Sequence, residues 1–275
     1  MPEGDTIHRT AAALRRALVG SRLTRVVLPR VAPPLPKVGA EVVAVEARGK
    51  HLLVHSDDGL VVHTHQRMTG AWHLYAPGQA WRKPRGAARV VLAVPGRVAV
   101  CFSSPVVEVL RTREVSRHPI LRRLGPDLCD PAADLDEALA RLQVLRAPEG
   151  GRSLSIGEAL LDQRAACGVG NIYRSEVLFL HGIHPATPLE AVGTDLRRQV
   201  LATAGEQLRA NLDTAARTTV PGATPGSLWV YGREARPCRR CDATIVCEDL
   251  GDPPRVTYHC PSCQPRRPLT AQPAG

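Results

Sequence analysis

Aromatic residues are scarce in this chain, at 3% of 275 residues. A core of 44% apolar composition must therefore be built from Leu, Val, Ala and Ile rather than from stacked rings. No apolar run is long enough to span a bilayer. The start carries Glu3 and Asp5 and no apolar stretch, so it does not read as a signal peptide. Lysine is almost absent: only Lys37, Lys50 and Lys83 occur. The eight cysteines are too few and too scattered for a small disulfide scaffold. A soluble protein of a reducing compartment, cytoplasmic and without membrane contact, is expected.

Arginine dominates what charge there is, and the formal net charge is +10. That balance favours an anionic partner such as nucleic acid. A GC-rich coding sequence would also enrich Arg, Ala, Pro and Gly, so the charge supports other observations and does not replace them.

The start of the chain, up to Gly20, reads as a helix that residues 2–4 precede. Ile7, Ala11, Leu14 and Leu18 recur at helical spacing, with Asp5 or Thr6 as the cap and Gly20 as the stop. From 22 to 112 the pattern changes to short Val- and Leu-rich runs between Gly, Pro and Asp clusters. Strands are expected over 23–28, 41–48, 51–56, 60–65, 72–75, 88–93, 97–102 and 106–110. Such a series suggests a sandwich or barrel. Helices follow over 132–145, 155–163, 171–180 and 194–214, broken at Cys167–Gly170 and at His184–Pro185. The expected architecture is α+β. An antiparallel β-sandwich with its leading helix spans 1–115, a helical domain 116–225, a cysteine-bearing hairpin 226–265 and a disordered tail 266–275.

Four cysteines form two Cys-x-x-Cys units, Cys238/Cys241 and Cys260/Cys263. Two thiolate pairs joined by a loop of this size suit one tetrahedral zinc. Four sulfur ligands close the site, so the zinc is structural. Buried or disulfide-linked cysteines are the competing reading. A zinc ribbon alone binds either nucleic acid or protein.

Several motifs then occur in order: MPEGDT at the start, ARGKHLL (47–53), HTHQRMTG (63–70), LGPDL (124–128), LLDQRAACGVGNIYRSE (160–176), WVYGREARPCRRC (229–241) and RVTYHCPSCQ (255–264). Together they resemble the formamidopyrimidine-DNA glycosylase and endonuclease VIII family across residues 1–264. The PEG opening, the RGKHL block and Trp72 are closer to the bacterial endonuclease VIII branch. The resemblance implies a two-domain fold with a catalytic N-terminal helix, a helix–two-turns–helix element and a zinc finger. It implies a monomeric base-excision-repair enzyme at the nucleoid, a glycosylase and abasic-site lyase acting on damaged DNA. Oxidised pyrimidines are the favoured substrates. Alternatives are an enzyme directed to 8-oxoguanine and formamidopyrimidine, and a non-catalytic damaged-DNA-binding homologue. No diffusible cofactor is implied.

The resemblance also assigns residues. Pro2, exposed by removal of Met1, supplies a secondary amine that attacks sugar C1′ and forms a Schiff base; Pro is otherwise an ordinary second residue. Glu3 is the general acid/base for ring opening, or otherwise a helix N-terminal charge. Thr6 stands where many members carry a second glutamate. Lys50 contacts the phosphate or sugar at the lesion, or is a solvated lysine. Arg67, Met68 and Thr69 form the loop that fills the void left by a flipped base, with Met68 the wedge or else a core residue. Asn171, after the glycine turns, binds phosphate or caps its helix. Arg255 binds the phosphates flanking the lesion and joins the catalytic set. Gln163 and Tyr173 read as scaffold. His51, His63, His65 and His73 read as structural or surface residues more readily than as a second metal site.

Overall fold

The computed structural model describes residues 2–147 and 153–266. The chain divides into two compact units, 1–123 and 124–275. The expected tail lies outside the described residues from residue 267 onward.

The first unit opens with α1 (Gly4–Leu18). Its apolar stripe of Ile7, Ala11, Leu14 and Leu18 is fully buried. The helix starts two residues earlier than a cap at Asp5 predicts, and three earlier than one at Thr6. Glu3 is the N-cap, in extended conformation and with no side-chain cap bond, and Asp5 sits buried in the first turn. Thr6 Oγ1 donates to Asp5 Oδ1 at 3.3 Å, so neither residue does the capping expected of it.

Eight strands follow: β1 (Arg25–Val27), β2 (Val42–Arg48), β3 (His51–Ser56), β4 (Leu60–His65), β5 (Ala71–Tyr75), β6 (Ala88–Val94), β7 (Arg97–Phe102) and β8 (Val106–Arg111). They form two four-stranded sheets, ordered β1-β6-β7-β5 and β2-β3-β4-β8. Every pairing is antiparallel. One core joins both sheets to α1, with Val45, Leu52, Val54 and Val62 from one sheet and Val90, Leu92, Ala99 and Cys101 from the other. Trp72 Nε1 donates to Thr64 Oγ1 at 3.1 Å and satisfies the one polar atom of a ring packed in that core. Period-two alternation then sends His51, Leu53 and His55 of β3 to the opposite face. A short helix α2 (Thr112–Val115) ends the unit with the turn that carries His118.

The second unit holds α3 (Leu135–Gln143), α4 (Ile156–Ala159), α5 (Asn171–Leu180) and α6 (Thr194–Arg209) around an apolar cluster that includes Leu142, Ile156, Val177, Leu178, Val200 and Leu208. Ser155 and Glu158 form a capping box that starts α4. A hairpin of β9 (Val246–Leu250) and β10 (Arg255–His259) completes it. None of the helices among the described residues is long and apolar enough to cross a membrane.

Candidate DNA-processing site and metal centre

In the first unit, Pro2 is half-buried directly before α1, and Glu3 is wholly buried at 0% exposure. Lys50 sits in the two-residue turn between β2 and β3, where Arg48 pairs with His51. Gly49 takes φ +54° at the first central position of that turn. Only glycine enters this conformation readily, and it aligns the strands so that Lys50 is presented at the sheet end.

Residues 66–70 form a tight turn after β4, closed by Gly70 N–H donating to Gln66 O at 2.8 Å. Arg67 adopts a left-handed φ of +46°, and Met68 projects with 62% of its surface exposed. Exposure on that scale removes the core-packing reading of Met68. Thr69 Oγ1 donates to Ser103 O at 2.9 Å and ties the turn to the β7–β8 connection. Ser104 Oγ, next along that connection, donates to His65 O at 3.0 Å and holds the turn's other end.

In the second unit, Gly170 is the N-cap of α5, so Asn171 is its first helical residue rather than its cap. The preceding turn is gripped by Gln163, whose amide donates to Leu161 O and Val169 O and accepts from Gly168 N–H. Gln163 is therefore scaffold, and so is Tyr173, which is completely buried under the Arg217 guanidinium. Arg255 begins β10 and lines an open pocket of about 560 Å³ together with Arg146, Arg164 and the carboxylates of Glu158, Asp162 and Asp252.

Two buried ionisable side chains, Arg174 and Glu176, carry almost no mark in the sequence pattern. Arg174 Nη2 donates to Val256 O and Thr257 Oγ1, both at 2.6 Å, and pins β10 to α5. Arg255 and Asn171 thereby lie on two elements locked together. Glu176, wholly buried, accepts from the backbone N–H groups of Trp229, Val230 and Tyr231 and from the Thr219 hydroxyl. Burial pushes its carboxyl up, against those hydrogen bonds. The RSE triplet inside an otherwise apolar helix was the only available signal, since the partners lie 43 to 83 residues away.

The four cysteines converge. Cys238 and Cys263 are 3.9 Å apart at sulfur, Cys241 and Cys260 3.5 Å, and Cys263 and Cys241 3.4 Å. A tetrahedron with metal–sulfur bonds of about 2.3 Å has edges of about 3.8 Å, so the cluster has the size of a zinc site. Backbone N–H groups of Arg240 and Cys263 point at Cys238 Sγ and Cys260 Sγ, which suits thiolates. The Ala243 N–H lowers the Cys241 thiol to about 6, whereas burial raises those of Cys260 and Cys263. These residues can hold one metal ion with no position left open for substrate. Cys247 lies outside the cluster.

Comparisons with known proteins agree with this arrangement. The family description "Formamidopyrimidine-DNA glycosylase N-terminal domain" matches residues 1–105, and "Formamidopyrimidine-DNA glycosylase H2TH domain" matches residues 124–221. A Streptomyces coelicolor protein named "Probable endonuclease 8 2" is 42% identical, over 96% of this chain and 94% of its own. The Mycolicibacterium smegmatis DNA-(apurinic or apyrimidinic site) lyase Nei2 is 39% identical, over 96% of this chain and 99% of its own. The crystal structure of MutM (Fpg) from Thermus thermophilus superposes with a TM-score of 0.78 at 27% identity, covering 97% of this chain and all of that one.

Proposed function

Because the chain belongs to the formamidopyrimidine-DNA glycosylase and endonuclease VIII family, on its endonuclease VIII branch, we propose that it excises oxidised pyrimidines from DNA and then cleaves the abasic strand. Glycosylase and abasic-site lyase activity come with the endonuclease 8 relatives. Its substrate is damaged DNA, and it works as a monomer in the cytoplasm, at the nucleoid.

The observation that carries this reading is the junction of Pro2 and Glu3. A half-buried proline stands immediately before a helix whose N-cap is a wholly buried carboxylate. Once Met1 is removed, the Pro2 amine attacks C1′ of the damaged nucleotide and displaces the base as the Schiff base forms. Glu3, already removed from water, transfers the proton that sugar-ring opening requires. Lys50 holds the phosphate or sugar at the lesion. Met68, with Arg67 and Thr69, enters the stack vacated by the flipped base and offsets part of the few kcal/mol that flipping costs. Asn171 and Arg255 bind backbone phosphates, which positions the strand without reading its sequence. Zinc on the four cysteines supplies structure: it holds the hairpin that carries Arg255.

The reading of substrate rests on the branch. Duplexes carrying thymine glycol, 8-oxoguanine or a plain abasic site separate the options. Cleavage rates should be highest on thymine glycol among the base lesions. A preference for 8-oxoguanine would transfer the enzyme to the formamidopyrimidine branch.

A further inference from the structure

The sheet face turned away from the sandwich core carries a set of ionisable side chains that the chemistry above leaves idle. His63 of β4 lies directly across from Glu108 of β8 and diagonally from His51 of β3. His63 Nδ1 is 2.6 Å from Glu108 Oε1, and His63 Nε2 is 2.9 Å from His51 Nδ1. His118 Nε2 reaches the same Glu108 oxygen at 3.0 Å. His51 and His63 keep only 6% and 1% of their surface. The chain of hydrogen bonds therefore runs through the protein interior, from a carboxylate to the residue that follows Lys50.

The protons can be placed. The hydrogen bond from His63, with smaller contributions from the charges and contacts of His63 and His118, holds Glu108 below the usual carboxylate range. An ionised carboxylate only accepts, so His63 Nδ1 and His118 Nε2 carry hydrogen. His118 Nδ1 faces the N–H groups of Ile120 and Leu121 and accepts from them, which agrees. It also argues against a metal at His63, Glu108 and His118, although their ligand atoms lie within 4.8 Å of one another. A nitrogen that keeps its proton offers a metal no lone pair. Burial first, then the fields of His65, His63, His118 and Lys50, pushes His51 down to about 2. His51 is thus neutral. With the His63 Nδ1 hydrogen turned to Glu108, His63 Nε2 faces His51 Nδ1, whose N–H donates to it, and a lone pair is left on His51 Nε2. If His63 becomes protonated, the middle bond reverses and the proton appears on His51 Nε2.

We propose that His51, His63 and Glu108 form a proton relay for the elimination step, entered at Nε2 of His51. The proposal rests on the lyase reading above. In the Schiff-base sugar, the C2′–H bond breaks and its proton binds His51 Nε2. The electron pair of that bond forms the C2′–C3′ double bond, and the C3′–O bond breaks with its pair leaving on the 3′ phosphate. His51 passes its Nδ1 proton to His63 Nε2 and is neutral again. The charge comes to rest as a His63 imidazolium against the Glu108 carboxylate. His51 could not hold that charge itself, given its burial beside three imidazoles and Lys50. The groups facing the relay are Lys50 from the β2–β3 turn, His65 of β4 and His118 from the turn after α2. Burial, then Lys50 and Arg67, keep His65 down at about 4.

The test is Glu108→Gln, read in two steps on a duplex with an abasic site. Borohydride-trapped adduct should form at the wild-type rate, while strand cleavage in a single turnover slows by about tenfold, less than the roughly hundredfold that loss of an acid–base group itself costs, because Glu108 acts through two imidazoles. Glu108→Asp should restore most of the cleavage rate. Unchanged cleavage in Glu108→Gln would overturn the relay, as would equal loss of both steps. If that variant does not fold, nitrogen-15 NMR of the intact wild-type protein decides: His51 and His63 should both be Nδ1–H tautomers. A proton on Nε2 of resting His51 would overturn the proposal. Absence of any adduct from wild type would defeat the lyase reading and the relay with it, whereas adduct formation with normal cleavage in Glu108→Gln defeats the relay alone.

Discussion

Gly70 has no room for a side chain. A Cβ there would lie 2.7 Å from both Cα and O of Gln66, which is backbone and cannot step aside. The turn that presents Met68 depends on that closeness. Gly70→Ala should open the turn and cost about 1–3 kcal/mol in stability, the usual range for overpacking. Thermal unfolding measures the cost. Cleavage of lesion duplexes should fall more than cleavage of single-stranded abasic DNA, which leaves no stack to fill. Wild-type stability in Gly70→Ala would mean that the turn has another conformation. At this scale the sequence was partly legible. The HTHQRMTG block marked Met68 as a wedge, and its exposure agrees with an unpacked role. The link from His51 to His63 was not legible, because residues twelve apart become neighbours only through strand register. Nor was Glu3 as the helix cap. Asp5 and Thr6 are better capping types, yet both lie inside the helix, whose first residue is Gly4.

At the scale of elements, spacing told most about the strands. The limits expected for β3 and β4 are the observed ones, because apolar runs there are bounded by Gly49–Lys50, Asp57–Gly59 and the 66–70 turn. Helix ends were harder: α4 stops at Ala159, where a helix to Gln163 was expected. Beyond it the chain is bent by Gln163, whose side chain serves the glycine turn instead of a helical face. The β9–β10 hairpin buries little of its own and is held by the cysteines and by Arg174. Cys260→Ser should therefore release zinc and weaken DNA binding while α3 to α6 remain folded. Metal content and gel-shift affinity test this, and full zinc content in the variant would refute it. Thiols must lose protons to bind metal. Since burial raises Cys260 and Cys263, zinc should also leave the wild type as the solution is acidified.

For the molecule as a whole, pH bears on stability through the histidine face. His51 has a value of about 2 in the fold against about 6.5 when unfolded. The unfolded chain therefore binds a proton below pH 6.5 that the folded chain refuses, and stability falls as pH drops from 6.5. For His51 the loss is about 1.4 kcal/mol per pH unit. His65 adds in the same direction down to about 4. Glu108, with a lowered value, favours the fold above the ordinary carboxylate range and loses its contribution only at lower pH. Urea midpoints between pH 7.5 and 5 should decline in the wild type and decline less steeply in His51→Asn. Parallel slopes would contradict a buried neutral His51.

The net charge of +10 suits a DNA partner but does not distinguish catalysis from binding. Covalent chemistry at Pro2 does. Wild-type protein and Pro2→Gly, each with a verified N-terminus and bound zinc, should be incubated with an abasic-site duplex and borohydride. Wild type should give a stable protein–DNA adduct and Pro2→Gly should lose it, with circular dichroism and DNA affinity retained. An adduct of equal yield from Pro2→Gly, or none from wild type, would contradict it.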